Sequence, residues 1–283
     1  MSLTAGNDDA TGVRRLIRQG WEAVATQYAQ DRLGIFERYG GRLLEVVRPP
    51  PGGKLLDVGT GGGAVALQAP VWVGPQGQVT GSDVAVTMIR LAKQSAAEQG
   101  ISGVEFCQVD GERLDFPDDC FDTVTCAFSL FQFPDMGRAL AEMWRVLKPG
   151  GRLGLSNWAP GFFSPVAALQ RDLFREFGLK ALLANPISLR PDALETMLHQ
   201  AAFNPVELIE ESDQVWFESP AEVWAFNMDM GPFPVMLRRQ LTAGQRRELE
   251  RRFVLKFQDL MTDRGIGCKF HLLYALAEKG SVG

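Results

Sequence analysis

Apolar positions near the start of the chain recur every three or four residues. Val13, Leu16, Ile17, Trp21, Val24 and Tyr28 form one stripe, and Arg14, Arg15, Arg18 and Glu22 occupy the other face. That spacing predicts an amphipathic helix over residues 11–30. A second helix is predicted over residues 34–47, stopped by Pro49-Pro50-Pro51-Gly52-Gly53. The rhythm then changes. Short apolar runs at 54–58, 79–82, 104–108, 121–128 and 151–156 read as strands. Between them, 64–69, 86–99 and 137–147 read as helices, the second closed by Gly100. Strands alternating with helices of this length imply βαβ units and a parallel sheet.

From Ala159 onward the alternation breaks. Residues 162–177 and 191–202 read as helices, the latter with Pro191 in its first turn. Residues 206–217 and 269–278 read as two late strands, with a mainly helical stretch over 220–262 between them. Strands so interrupted suit an antiparallel edge on the sheet.

The strongest motif lies where the first strand runs into glycines, Leu55-Leu56-Asp57-Val58-Gly59-Thr60-Gly61-Gly62-Gly63. A strand, a glycine turn and a helix bring bare backbone close to a ligand at the carboxyl edge of a sheet. Gly59-x-Gly61-x-x-Ala64 also satisfies a dinucleotide fingerprint, so glycine spacing alone leaves two ligands open. A carboxylate at Asp57 would repel a pyrophosphate and suit a ligand carrying an ammonium and a sulfonium; alternatively it caps nearby amides. Asp83, ending the second strand, can accept both ribose hydroxyls in either kind of site. Asp110, in the Asp110-Gly111-Glu112 stretch that ends the third strand, is an acid that could accept an adenine amino group. Val84 and Met88 offer apolar faces to the ring or pack helix on sheet. Glu112 reads as a solvated loop charge.

Composition narrows the partners. The chain has 283 residues, 46% hydrophobic and 22% charged, and a formal net charge of −5. That is a globular composition, and the acidic balance argues against nucleic acid. The four cysteines lack a C-x-x-C pair and read as buried reduced thiols, with no metal site expected. The polar, acidic start MSLTAGNDDATG has no apolar leader, and no run approaches the length of a membrane span. A soluble, cytoplasmic protein is the expectation.

Four ordered segments carry a resemblance to the class I S-adenosylmethionine-dependent methyltransferases, nearest the ubiquinone/menaquinone C-methyltransferase branch. They are LLDVGTGGG (55–63), VTGSDVAVTMIRLAK (79–93), VDGERLDFPDDCFDTVTCAFSL (109–130) and RVLKPGGRL (145–153). The resemblance covers residues from about 20 to 158 and fades beyond. It implies S-adenosylmethionine as cofactor, with Gly59, Thr60, Gly61 and Gly63 around the methionine portion. It further implies Asp83 on the ribose hydroxyls, Asp110 and Gly111 near adenine, and Phe128 and Ser129 lining the methyl-donor end. Lys148-Pro149-Gly150-Gly151 resembles the turn before strand five. Tyr28 resembles an aromatic that closes over the cofactor, or is simply a core member of its stripe. Neither Phe128-Ser129-Leu130-Phe131 nor Ser156-Asn157-Trp158 resembles the Asn/Asp-Pro-Pro-aromatic motif of DNA amino-methylating enzymes.

The expected fold is therefore α/β, a Rossmann-like seven-stranded mainly parallel sheet with a helical N-terminal region and an inserted helical cap. The expected divisions are 1–50, helical; 51–158, the cofactor-binding core; and 159–283, holding the cap (159–200 and 218–266) and the last two strands. Phe128, Phe131 and Phe133 are candidates to face a cationic donor. Only two histidines could serve as base. His271, at the start of the last strand, is the weak candidate, and His199 reads as a packed or surface residue. An acceptor acidic enough to ionise by itself needs neither. The aromatic and methionine-rich segment 223–233 packs the cap or walls an apolar substrate. The arginines at 238, 239, 246, 247, 251 and 252, interleaved with Glu248 and Glu250, read as a solvated face. Their minority reading is a site for an anionic tail or a membrane surface.

The function so implied is methyl transfer to an oxygen, carbon or nitrogen of a small, apolar or aromatic acceptor, with a homodimer left open. A nicotinamide-dependent oxidoreductase would share the loop and Asp83 but has no need of Asp57. A non-catalytic adenosyl-binding protein is the other rival.

Overall fold

A computed structural model describes residues 7–28, 33–179, 188–229 and 233–280. Seven strands form one sheet: β1 Lys54–Val58, β2 Gln78–Asp83, β3 Val104–Gln108, β4 Phe121–Ala127, β5 Leu147–Trp158, β6 Phe203–Phe217 and β7 Ile266–Lys279. Their order across the sheet is β3-β2-β1-β4-β5-β7-β6. The first five are parallel; β7 pairs antiparallel with β5 and with β6. This is the expected Rossmann-like sheet. The structural surprise is β7, which enters between β5 and β6. Edge strand β6 carries Glu207, Glu210, Glu211 and Asp213, charges that discourage a further strand from pairing there.

Ten helices follow chain order: α1 Asn7–Tyr28, α2 Ile35–Val47, α3 Ala69–Val73, α4 Val86–Glu98, α5 Met136–Val146, α6 Val166–Glu176, α7 Pro191–Gln200, α8 Pro220–Asp229, α9 Phe233–Gln240 and α10 Ala243–Gln258. That set is what the described residues contain. Because helices cover both faces of the sheet, its central strands are apolar on both sides: Leu55, Leu56 and Val58 are fully buried. One face packs against α2, α3 and α4, the other against α5 and α7. In α2, Ile35, Tyr39, Leu43, Leu44 and Val47 make one buried stripe, each large side chain worth about 1.5–3 kcal/mol of burial. No helix among the described residues is long and apolar enough to cross a membrane.

Three elements differ from their sequence pattern. Residues 61–68 form successive turns, and the helix expected over 64–69 begins only at Ala69. The cause is glycine geometry: Gly61 and Gly63 take φ values of 53° and 96°, outside right-handed helix. The helix expected from Phe162 begins at Val166, because Phe163 has a φ of 62° and Pro165 follows. Between the pairs Phe121↔Leu147 and Thr123↔Arg152, β5 advances further than β4, so Lys148-Pro149-Gly150-Gly151 forms a bulge within the strand. Helix α7 lies on the sheet through Leu194 and Leu198, beside α5. Of the residues expected to be helical, Met230, Gly231 and Pro232 lie outside the described residues, as do Ala29 and Gln30.

Candidate active site

Parallel strands bring their carboxyl ends to one edge, and the chain changes direction across the sheet between β1 and β4. The loops leaving those two strands turn toward opposite faces and open a crevice. A cavity lies there. Its walls come from α1 (Arg14, Ile17, Trp21, Tyr28), Phe36 of α2, Gly59 and Gly61 after β1, and Asp83, Val84 and Met88 at and after β2. The segment after β3 adds Asp110, Gly111 and Glu112; the end of β4 and its sequel add Ala127, Phe128, Ser129 and residues 131–134; β5 adds Trp158.

The glycine turn is held from three sides. Thr60 N–H donates to the Ser82 carbonyl at 2.9 Å, and Gly61 N–H donates to the Asp83 carboxylate at 3.0 Å. The Ser129 hydroxyl donates to the Gly59 carbonyl at 3.0 Å. Asp83 accepts a second backbone bond from Ala85 N–H at 2.8 Å. Burial pushes its carboxyl above the ordinary value, and the amides of Ala85, Gly61 and Val84 oppose that shift. Each carboxylate oxygen has two lone pairs, so acceptor capacity remains at the cavity wall.

Asp57, Thr60 and Gly63, also expected at the cofactor, do not line the cavity. Asp57 is buried behind the turn, where one carboxylate oxygen accepts from Thr60 Oγ1 at 2.7 Å and the other from Thr125 Oγ1 at 2.8 Å. It organises the loop from within. Burial pushes its carboxyl up to about 6, partly offset by the hydroxyls of Thr60 and Thr125. A carboxyl raised on folding binds its proton more tightly when folded, so its contribution to stability falls as pH rises from about 4 to about 6. Relative to Asp57→Asn, which does not titrate, the native protein should lose about 1 kcal/mol between about pH 5 and about pH 7. Urea unfolding of both proteins at each pH measures this, and a constant difference would show that Asp57 titrates normally.

The sequence missed a second feature. Arg14, assigned to the outer face of α1, points into the site, and Glu112, read as a solvated charge, is only 2% exposed at its side chain. Arg14 donates to Glu112 through Nη2, and through Nε at 3.1 Å. The other oxygen of Glu112 accepts Asp135 N–H at 3.2 Å. Asp110 caps the same turn by accepting Glu112 N–H at 3.0 Å and lies 4.0 Å from Arg14. A buried carboxylate is tolerated only with such partners. The pair fastens α1 over the cavity. Removing it by Arg14→Ala should lower stability by about 2 kcal/mol and speed hydrogen exchange along α1. Unchanged exchange in α1 would show that other contacts hold the helix.

Beyond the glycines the cavity becomes aromatic. Tyr28 and Phe36 ring centroids are 5.0 Å apart, Phe36 and Phe128 6.1 Å, and Phe128 and Trp158 4.2 Å. Phe162 stacks on the far side of this group, 4.0 Å from Trp158. Phe131 and Phe133 also line the wall. Phe128 has a φ of 50°, a conformation costing a non-glycine residue about 1–3 kcal/mol; its N–H bond of 2.8 Å to the Ser156 carbonyl helps hold it. Neither histidine lines the cavity. His271 lies on β7 with Nδ1 3.5 Å from Ser212 Oγ, and His199 Nδ1 lies 3.1 Å from the Phe203 carbonyl.

Comparison with known proteins agrees with this architecture. The model of the ubiE/COQ5 methyltransferase family matches residues 19–159. The chain is 35% identical over 175 residues to the ubiquinone/menaquinone biosynthesis C-methyltransferase UbiE of Francisella philomiragia, covering 55% of this chain and 68% of that protein. It is 40% identical over 140 residues to nocamycin O-methyltransferase of Saccharothrix syringae, half of each chain. The crystal structure of a methyltransferase-like protein from Bacillus halodurans superposes with a TM-score of 0.60 at 23% identity, over 86% of this chain and 99% of that one. The nicotinamide reading of the glycine turn falls with these findings. The chain belongs to the ubiE/COQ5 methyltransferase family, and so to the class I S-adenosylmethionine-dependent methyltransferases.

Proposed function

We propose that this protein methylates an oxygen, carbon or nitrogen nucleophile of a small apolar or aromatic molecule. The observation that carries the reading is the wall formed by Tyr28, Phe36, Phe128 and Trp158, which continues directly from the glycine turn within one cavity. The residues at the other end suit the cofactor: glycines where backbone must approach, a carboxylate with spare acceptor capacity at Asp83, and apolar surface at Val84 and Met88. Gly59 and Gly61 would hold its amino-acid portion, Asp83 its ribose hydroxyls, and Asp110 with Gly111 its adenine. Asp57 would act on that portion indirectly, by fixing Thr60. When bound, the cofactor supplies a methyl group made electrophilic by its sulfonium.

The chain's own task is to exclude water and align the acceptor, which is where most of the rate advantage of such a displacement arises. The aromatic face of Phe128, backed by Trp158 stacked between it and Phe162, favours a cationic donor by about 1 kcal/mol when desolvated. One relative is named for O-methylation and the other for C-methylation. An acceptor sharing electron density between oxygen and neighbouring carbon, such as a phenol, enol or quinol, reconciles the two. Such a molecule, ionised before it enters, requires no histidine.

The test is to incubate the protein with S-adenosylmethionine and matched sets of phenolic, quinol-like and amine acceptors, scoring S-adenosylhomocysteine and the methylated product by mass. Turnover of aromatic or enolic acceptors is expected. Turnover confined to charged, aliphatic amines would sink the apolar reading, and cofactor binding without turnover of any acceptor would favour a binding protein.

A further inference from the structure

Helix α1 separates the cavity at the glycine turn from a second one. Arg14 and Ala23 are nine residues, or two and a half turns, apart and so lie on opposite faces of the helix. Arg14 lines the cavity at the glycine turn, and Ala23 lines a groove between α1 and the helices α8, α9 and α10. The floor of this groove is apolar, formed by Val24, Trp224 and Leu237, and its rim carries Arg238, Arg246 and Arg247 against the single carboxylate of Glu250.

The charge is local and unusual for this chain. Residues 238–256 hold six arginines and one lysine against two glutamates, within a protein of net charge −5. Several neighbouring cations are engaged: Arg251 pairs with Glu248 and Arg252 with Glu176, while Arg246 donates to the Leu241 carbonyl at 2.7 Å. Arg238 and Arg247, on the groove, have no ion pair among the described residues. A helix face built only for solvation has no need of a recessed apolar floor beneath such a rim.

We infer that this groove binds a single amphiphile with an anionic head, its apolar chain over Trp224, Val24 and Leu237 and its carboxylate or phosphate between Arg238 and Arg247. Guanidinium groups grip such heads through paired, charge-assisted hydrogen bonds. A free inorganic anion would leave the floor wet, and a neutral chain would leave the rim unmatched. A membrane surface requires apolar side chains that protrude, whereas Val24, Trp224 and Leu237 are recessed at 3%, 8% and 2% exposure. An occupant here rests against the helix that covers the cofactor cavity. It therefore braces α1 and tightens the cofactor site, and bound cofactor tightens the groove by the same factor.

The test uses the full chain and calorimetry with decanoate, butyrate and decyltrimethylammonium, each below its micelle concentration. Decanoate should bind, butyrate and the cation should not, and Arg238→Glu with Arg247→Glu should weaken decanoate at least about tenfold. The double variant should keep its melting temperature and its affinity for S-adenosylhomocysteine measured without decanoate. Saturating decanoate should tighten S-adenosylhomocysteine in the native protein roughly fivefold. Equal decanoate binding by the double variant, or equal binding of the cationic detergent, would overturn the site. Association with anionic vesicles without decanoate binding would overturn the single-molecule occupant. Decanoate binding that leaves S-adenosylhomocysteine affinity unchanged would overturn the coupling through α1.

Discussion

Asp83→Ala is expected to weaken S-adenosylhomocysteine binding about a hundredfold, as read by calorimetry. Two hydrogen bonds from ribose hydroxyls to a charged acceptor are worth about 1.5–3 kcal/mol each, and each 1.4 kcal/mol is tenfold in affinity. The same carboxylate accepts Gly61 N–H and Ala85 N–H, so alanine also frees the glycine turn. Asp83→Asn is intermediate. Gly61 and Ala85 donate to different oxygens, so its single oxygen keeps one backbone bond while its amide nitrogen faces the other N–H. The turn should hold only partly better than in Asp83→Ala, and with the charge gone affinity should still fall at least about tenfold. Affinities within threefold of the native protein for both variants would remove Asp83 from the cofactor's contacts.

Gly59→Ala should abolish measurable cofactor binding and destabilise the protein by about 3 kcal/mol, because two penalties add. Gly59 has a φ of 70°, and a Cβ on it would lie 2.5 Å from Ser129 Oγ and 2.6 Å from Ser129 Cβ. An internal control separates conformation from collision. Gly52 has a φ of 76°, and a Cβ on it would meet nothing within 4 Å, so Gly52→Ala should cost only the conformational share, about 1–2 kcal/mol. Urea unfolding of the two variants checks the difference. Adding Ser129→Gly to Gly59→Ala should recover part of the lost stability by removing the collision. Equal losses at Gly52 and Gly59 would show that the Ser129 contact is easily relieved.

Much of the core could be read along the chain. Strands at 54–58, 79–82 and 104–108 and the helix at 86–99 were legible because burial on one or two faces imposes a period that survives in sequence. That Asp83 and Gly59 come to one cavity was legible for a related reason: each belongs to a strand end or a tight turn, features set by near neighbours. The Arg14–Glu112 pair was not legible, since the partners stand 98 residues apart and each is a common surface residue. Asp57 shows the opposite error. Its position at a strand end suggested a ligand contact, but strand alternation turns its side chain inward, onto Thr60 and Thr125.

The amino-acid order by itself determined the alternating core, the glycine turn and the acids at the strand ends, because each depends on spacing within one element or one turn. Only the tertiary structure decided which aromatics meet. Phe36, Phe128 and Trp158 come from α2, the end of β4 and the end of β5, and no local period relates them. It also decided that β7 enters between β5 and β6, and that α1 has a cavity on each side. Those outcomes depend on which buried faces find one another across the sheet, a competition among distant surfaces that local spacing does not encode.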